Sequence, residues 1–143
     1  MTIINKTALI PYSSDKMFQL VIDVDRYHEF LPWCSKSKTI AKTEQYVEGQ
    51  IWVIHTGFKQ SFTTRNYFEE NKKLSIKLID GPFKKLEGVW FFEQLDKNST
   101  KISLQLDFSF KNKLVSMALG PVFSQIANSM LDSFCKRATD LYS

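Results

Sequence analysis

The chain has 143 residues, enough for one domain with a single core (1–143) and too few for two comfortable ones. Its apolar share of 43% is ordinary, but 12 Phe, 5 Tyr and 3 Trp make it aromatic-rich, and only 5 Gly and 4 Pro argue against a disordered chain. A net charge of +4 favours anionic partners without demanding one, because the lysines are spread in ones and twos (Lys36, Lys38, Lys42; Lys72, Lys73; Lys84, Lys85; Lys111, Lys113), as on solvated faces.

The start, MTIINKTALIP, lacks a basic segment followed by a long apolar core, and no run approaches the ~18 apolar residues of a membrane span, so a cytoplasmic protein is expected. Ile3 to Ile10 reads as a strand closed by Pro11. Ser13 or Ser14 can cap a helix carrying Met17, Leu20, Val21 and Val24 at helical spacing, and a second short helix, Asp25 to Phe30, precedes Pro32.

Strand signals follow: Lys36 to Thr43, Val47 to Thr56, Lys59 to Glu69, Leu74 to Asp80, Phe83 to Leu95 and Thr100 to Phe110. The breaks between them, at Glu44–Gln45, Gly57–Phe58, Asn71–Lys72, Gly81–Pro82 and Asp96–Asn98, are short enough to make antiparallel neighbours. The last strand alternates throughout, with Ile102, Leu104, Leu106, Phe108 and Phe110 on one face and Lys101, Ser103, Gln105, Asp107 and Ser109 on the other.

From Lys113 the period becomes helical, through Val115, Leu119, Val122, Phe123, Ile126, Met130, Phe134 and Leu141. Gly120–Pro121 predicts a kink, or a fresh first turn at Pro121. The order specifies an α+β helix-grip fold: a curved seven-stranded antiparallel sheet around a long C-terminal helix. Such a helix seldom fills the concavity, so an apolar ligand cavity is expected between helix and sheet. From the alternating faces its lining is Leu78, Leu86, Trp90, Leu104, Leu106 and Phe108 on the sheet and Val122, Phe123, Ile126 and Met130 on the helix. Its movable rim is Phe30, Leu31 and Pro32, Pro82 and Phe83, and Gly120–Pro121, where proline and glycine weaken local pairing.

Catalytic constellations are absent from the sequence pattern. His28 and His55 stand outside any HxxxH or HExxH context, no metal-ligand spacing occurs, and the glycines at 49, 57, 81, 88 and 120 form no phosphate loop. Cys34 and Cys135, a hundred residues apart, suggest reduced thiols; a Cys34–His28 pair is conceivable, though packing is the commoner role of such a cysteine. In FTTRNYF, Ser61, Thr63, Arg65 and Tyr67 share one face and Phe62, Thr64, Asn66 and Phe68 the other, and either face can be the inner one. An enzyme would need an inward acid or base, for which Arg65, Asp107, His55 and Glu87 are the candidates. Gly88 marks a bend or a close approach within its strand.

The stretch DGPFKKLEGVWFFEQL carries bulk on both faces of one strand, so Val89, Phe91 and Trp52 should meet a second surface. With Lys84 and Lys85 ahead of it, that surface is an anionic membrane or a second copy of the chain.

FLPWC (Phe30 to Cys34), FTTRN (Phe62 to Asn66), DGPFKKLEGVWFF (Asp80 to Phe92) and DFSFKNKL (Asp107 to Leu114) resemble the coenzyme Q-binding START-domain family over roughly Thr7 to Tyr142, closest to its bacterial branch of ribosome association toxins. The resemblance implies a cavity that holds ubiquinone or a similar polyisoprenoid lipid as ligand, with no cofactor or metal required. It also implies a carrier supporting respiratory electron transport, working at or near the inner membrane. For the bacterial branch it implies, as the alternative, interference with association of the ribosomal subunits. Catalysis of the aromatase and cyclase kind, found in the same superfamily, would need one of the inward groups named above.

Overall fold

The computed structural model describes residues 2–55 and 58–142. The expected strand end at Thr56 and the turn at Gly57 lie outside the described residues, as does the side chain of His55. The chain forms β1 (Thr2–Ile10), α1 (Ser14–Ile22), a 3₁₀ helix (Val24–Glu29), β2 (Cys34–Lys42), β3 (Tyr46–His55), β4 (Phe58–Glu69), β5 (Lys73–Asp80), β6 (Phe83–Asp96), β7 (Ser99–Phe110) and α2 (Lys113–Tyr142). The strands make one antiparallel sheet in the order β1-β7-β6-β5-β4-β3-β2. The sheet is therefore a meander closed at one end by β1, which returns to pair with β7.

The alternation of β7 sets the inner face, where Ile102, Leu104, Leu106 and Phe108 are all buried while Lys101 and Gln105 are exposed. β6 matches it with Leu86, Trp90 and Phe92. Into this concavity α2 presents Leu119, Phe123, Ile126, Ala127, Leu131, Phe134 and Ala138. Each large side chain so buried contributes on the order of 1.5–3 kcal/mol. Asn112 starts α2, its Oδ1 accepting from the Val115 amide at 2.9 Å.

The structure refines four expectations. The second short helix expected at Asp25 to Phe30 is present as a 3₁₀ helix, Val24–Glu29. It ends beside Phe30, whose N–H is already held by the Tyr27 carbonyl. α2 runs unbroken through Pro121, which removes one hydrogen bond but does so among exposed residues, where water can take the carbonyl that Pro121 cannot serve. Leu141 is exposed, and the buried stripe passes instead through Ala127, Leu131 and Ala138, small or off the expected spacing. Finally, α2 is by length and composition apolar enough to cross a membrane, although no unbroken apolar run announces it, and it packs here as the core helix.

Candidate functional site

β5 and β6 are paired only from Lys73–Phe91 to Lys77–Glu87. Beyond that the strands part, because Leu78 and Asp80 stay with β4 while Phe83 and Lys85 pair with β7. The turn between them needs Gly81, whose φ of 151° suits glycine, and a Cβ there would lie 2.7 Å from Phe62 Cβ. The parted strands open a gap in the sheet beside the first turns of α2.

Behind the gap lie two apolar spaces. The outer, about 20 Å³, is lined by Val53, Phe62, Pro82, Phe83, Phe110 and the α2 residues Leu119, Val122, Phe123 and Ile126. The inner, about 60 Å³, is walled by Tyr27, Trp33, Phe62, Thr64, Asn66, Ile76, Leu86, Trp90, Leu106 and Met130, among others. Phe62 and Phe123, their rings edge-on at 6.0 Å, belong to both walls and stand between the spaces. As it stands the inner space has room for about two waters at ~30 Å³ each, so a larger guest enters only if Phe123 and Met130 swing aside.

Of the expected lining, Leu86, Trp90, Leu106, Phe123 and Met130 face the inner space, and Val122, Phe123 and Ile126 the outer. Leu104 and Phe108 do not line either; at 0% and 1% exposure they are solid core, Phe108 lying edge-on to Phe123 at 4.7 Å. Leu78 sits half-buried beside Gly81, and Ile76 takes the place assigned to it. Pro82 and Phe83 line the outer space with Leu119 and Val122 of α2, whereas Gly120 and Pro121, between those two, are not part of its lining. Phe30, Leu31 and Pro32 are not part of it either. They line a polar, open groove with Ser133, Lys136, Arg137 and Asp140, which begins fourteen residues further along α2 than Leu119, about 21 Å away at 1.5 Å per residue. Phe30 is held there by the Phe134 ring at 5.1 Å and the Arg137 guanidinium at 5.1 Å.

Gly88 serves close approach rather than a ligand path: a Cβ there would lie 2.5 Å from Leu106 Cδ2 and 3.0 Å from the Gln105 carbonyl. Leu106 fills the space that glycine leaves.

The wall missed by periodicity is polar in three places. Thr64 and Asn66 project inward from β4, and Trp33 comes from the turn before β2. Trp33 Nε1 and Asn66 Oδ1 are buried without a hydrogen-bond partner, a cost of roughly 1–3 kcal/mol each in an apolar wall. Tyr27 is committed elsewhere, its hydroxyl donating to the Val21 carbonyl, and burial pushes its pKa up.

The candidate acids and bases point elsewhere. Arg65 lies on the outer face, 3.0 Å from Glu48 and 4.5 Å over the Tyr46 ring. Asp107, also outward, takes the Lys85 ammonium at 2.8 Å, and Glu87 is exposed. Cys34 and His28 do not form a pair. The thiol donates to the Lys36 carbonyl at 3.3 Å and the His28 ring meets Ser37 Oγ at 3.3 Å. Burial pushes the Cys34 thiol up to about 11. Disulfide-exchange reagents at pH 8 should therefore label Cys34 slowly in the folded chain and at an ordinary rate after unfolding; equal rates would mean the thiolate is accessible. Because unfolding restores a pKa near 9.0, the stability gained by keeping this thiol neutral is present below pH 9 and is lost as pH rises towards 11.

On the outer face of β6, Phe91 is 40% exposed beneath the Lys73 ammonium at 5.7 Å, and Trp52 lies under Lys36 at 4.8 Å. The second face of the strand is thus partly covered by lysine stems of its own sheet.

Residues 10–135 match the family described as polyketide cyclase / dehydrase and lipid transport. The chain belongs to that family. Its relatives include the ribosome association toxin RatA of Pseudomonas aeruginosa, 43% identical over 99% of this chain and 98% of that one. The mitochondrial coenzyme Q-binding protein COQ10 of Dictyostelium discoideum is 30% identical over 95% of this chain and 68% of the other. Among solved structures, the Zhui aromatase/cyclase of a Streptomyces species superimposes with a TM-score of 0.84 over 96% of this chain and 93% of its own, at 16% identity, a likeness of fold. The relatives thus carry binding and toxin names and the structural neighbour a cyclase name, and a shared fold alone does not choose among them.

Proposed function

We propose that the protein binds ubiquinone or a similar polyisoprenoid lipid between α2 and the sheet and carries it as a chaperone for respiratory electron transport. The observation that carries this reading is the pair of apolar spaces behind the β5–β6 gap, separated by the Phe62 and Phe123 rings. An apolar wall of this kind favours a prenyl chain, at about 0.8 kcal/mol for each CH₂ buried. The relative named as a coenzyme Q-binding protein supports it. Lipid extracted from the purified chain and weighed by mass spectrometry should contain a polyisoprenoid quinone in roughly equimolar amount. A lipid-free chain that also takes up no added ubiquinone would overturn the reading.

Such a lipid has to come from a membrane surface. Leu114 and Met117, 79% and 71% exposed on the first turns of α2, stand beside the rim, and the nearest charges in sequence are Lys111 and Lys113. Between Asp107 and Asp132 the chain carries no acid. Apolar groups that can insert shallowly, ringed by lysines worth about 1 kcal/mol each near anionic headgroups, suit an anionic bilayer. The double substitution Leu114→Ser with Met117→Ser should lower sedimentation with anionic liposomes severalfold and leave the melting temperature unchanged. Undiminished sedimentation would place docking elsewhere.

The relatives named as ribosome association toxins favour a second reading, interference with subunit association. The exposed Lys36, Lys38 and Lys42 on edge strand β2 would supply its contacts. Binding to ribosomal subunits that weakens steeply with salt and on Lys38→Glu would support it. No binding at low salt would remove it.

A further inference from the structure

Nε1 of Trp33 and Oδ1 of Asn66 are the two buried, unpartnered polar side-chain atoms in the wall of the inner space, and both residues are only 7% exposed. Nearly all buried polar groups in folded chains find a partner, so two orphans facing one small apolar space are a shared anomaly. Their chemistry narrows what would satisfy them. An indole nitrogen only donates, so the atom facing Trp33 must be an acceptor. A carboxamide both donates and accepts, and a rotation of its plane exchanges the two, so Asn66 matches either a carbonyl or a hydroxyl. The Thr64 hydroxyl, on the same inward face two residues away, can also do both. The remaining nearby hydroxyl, on Tyr27, is bound to Val21 and unavailable.

We propose that Trp33 and Asn66 recognise the oxygen-bearing ring of the bound lipid, which lies head-inward with its chain running past Phe123 to the rim. This inference rests on the lipid reading above and assigns the polar end of the same site. Placement supports the orientation: the polar residues all lie in the inner space, whereas the outer space next to the gap is apolar apart from Gln60. The ring carries at least two oxygens, one an obligate acceptor at Trp33. A carbonyl there accepts the indole N–H directly, and a hydroxyl oxygen accepts it through a lone pair while donating its own proton onward. Asn66 offers its NH₂ to a carbonyl and its Oδ1 to a hydroxyl. The site is thereby indifferent to oxidation state and holds the quinone and the hydroquinone alike, without transferring electrons to either.

The test uses the full chain with two probes of equal prenyl length, a ubiquinone with three isoprene units and farnesene, a hydrocarbon with neither the ring nor any oxygen. Affinities are measured by titration calorimetry for the parent, Asn66→Leu and Trp33→Phe. Both variants keep an apolar group of similar bulk, and Asn66→Leu also removes a buried orphan, so it should melt no lower than the parent. Each is expected to weaken the ubiquinone at least tenfold and farnesene less than twofold, and the parent should bind the reduced and oxidised ubiquinone within about threefold of each other. Unchanged ubiquinone affinity in Asn66→Leu would overturn the recognition pair and leave the lipid reading standing. Equal losses for both probes would also overturn it, making the two residues packing groups. If the parent binds neither probe, the lipid reading itself fails and the pair falls with it.

Discussion

An Ile126→Glu chain should fail to fold, or should melt far below the parent, rather than fold and merely lose its ligand. Ile126 is 3% exposed on the sheet-facing stripe of α2, between Phe123 and Met130. The structure places no Lys or Arg in the apolar space that it lines. A carboxylate there would either stay charged without a partner or be protonated, and both routes cost several kcal/mol against a total stability of about 5–15 kcal/mol. The control is Ile126→Val, which removes one methylene and should cost about 0.5–1.5 kcal/mol. Circular dichroism with chemical denaturation reads both. A Glu variant with native spectrum and midpoint would mean that water reaches this position, and that the spaces behind the gap are wider than their static volumes.

Much of the frame was legible because its signals are periodic. The alternation of β7 needed no tertiary information: each buried residue from Ile102 to Phe108 sits where a period of two puts it. The meander followed from breaks too short for anything but antiparallel neighbours. What periodicity cannot supply is depth. Leu104 and Phe108 share a face with Leu106, yet of the three only Leu106, packed over Gly88 opposite it, lines the inner space. A face tells that a residue is inside, and its cross-strand partner decides whether it touches a wall or a void.

The polar wall was hidden for a different reason. Trp33 sits in a turn, where no period exists, and Asn66 lies on a strand whose two faces both mixed polar and apolar residues. The deciding fact is the pairing of Arg65 with Glu48 across β3 and β4, which turns Arg65 outward and so Asn66 inward. That cross-strand charge pair was in the sequence, but only the register joins its ends. Phe30–Pro32 was misplaced by a similar gap in information. The proline at Pro32 suggested a loosely paired segment at the cavity mouth, whereas the 3₁₀ turn carries Phe30 towards the C-terminal end of α2, onto Phe134.

Phe123→Ala should separate stability from access. The Phe123 ring contacts Phe83 at 4.8 Å, Phe108 at 4.7 Å, Phe62 at 6.0 Å and Phe110 at 6.3 Å, so it is the centre of an aromatic cluster and, with Phe62, the partition between the two spaces. Its truncation removes a large core side chain and should cost about 3–5 kcal/mol, among the larger losses available to a single substitution here. The same truncation should widen the passage between the inner and outer spaces, leaving Phe62 alone between them, into a channel open at the β5–β6 gap. A prenyl lipid that fills this channel would bind the folded form alone, and at a hundredfold excess over its dissociation constant would return about 2.7 kcal/mol. The expected result is therefore a variant with a much lower melting temperature than the parent when free of lipid, and a larger upward shift than the parent when ubiquinone is added. Thermal melts at several ubiquinone concentrations measure both quantities together. If the variant loses stability and the lipid restores none of it, Phe123 is a core residue and no gate, and the two spaces are packing defects rather than the two ends of a binding site.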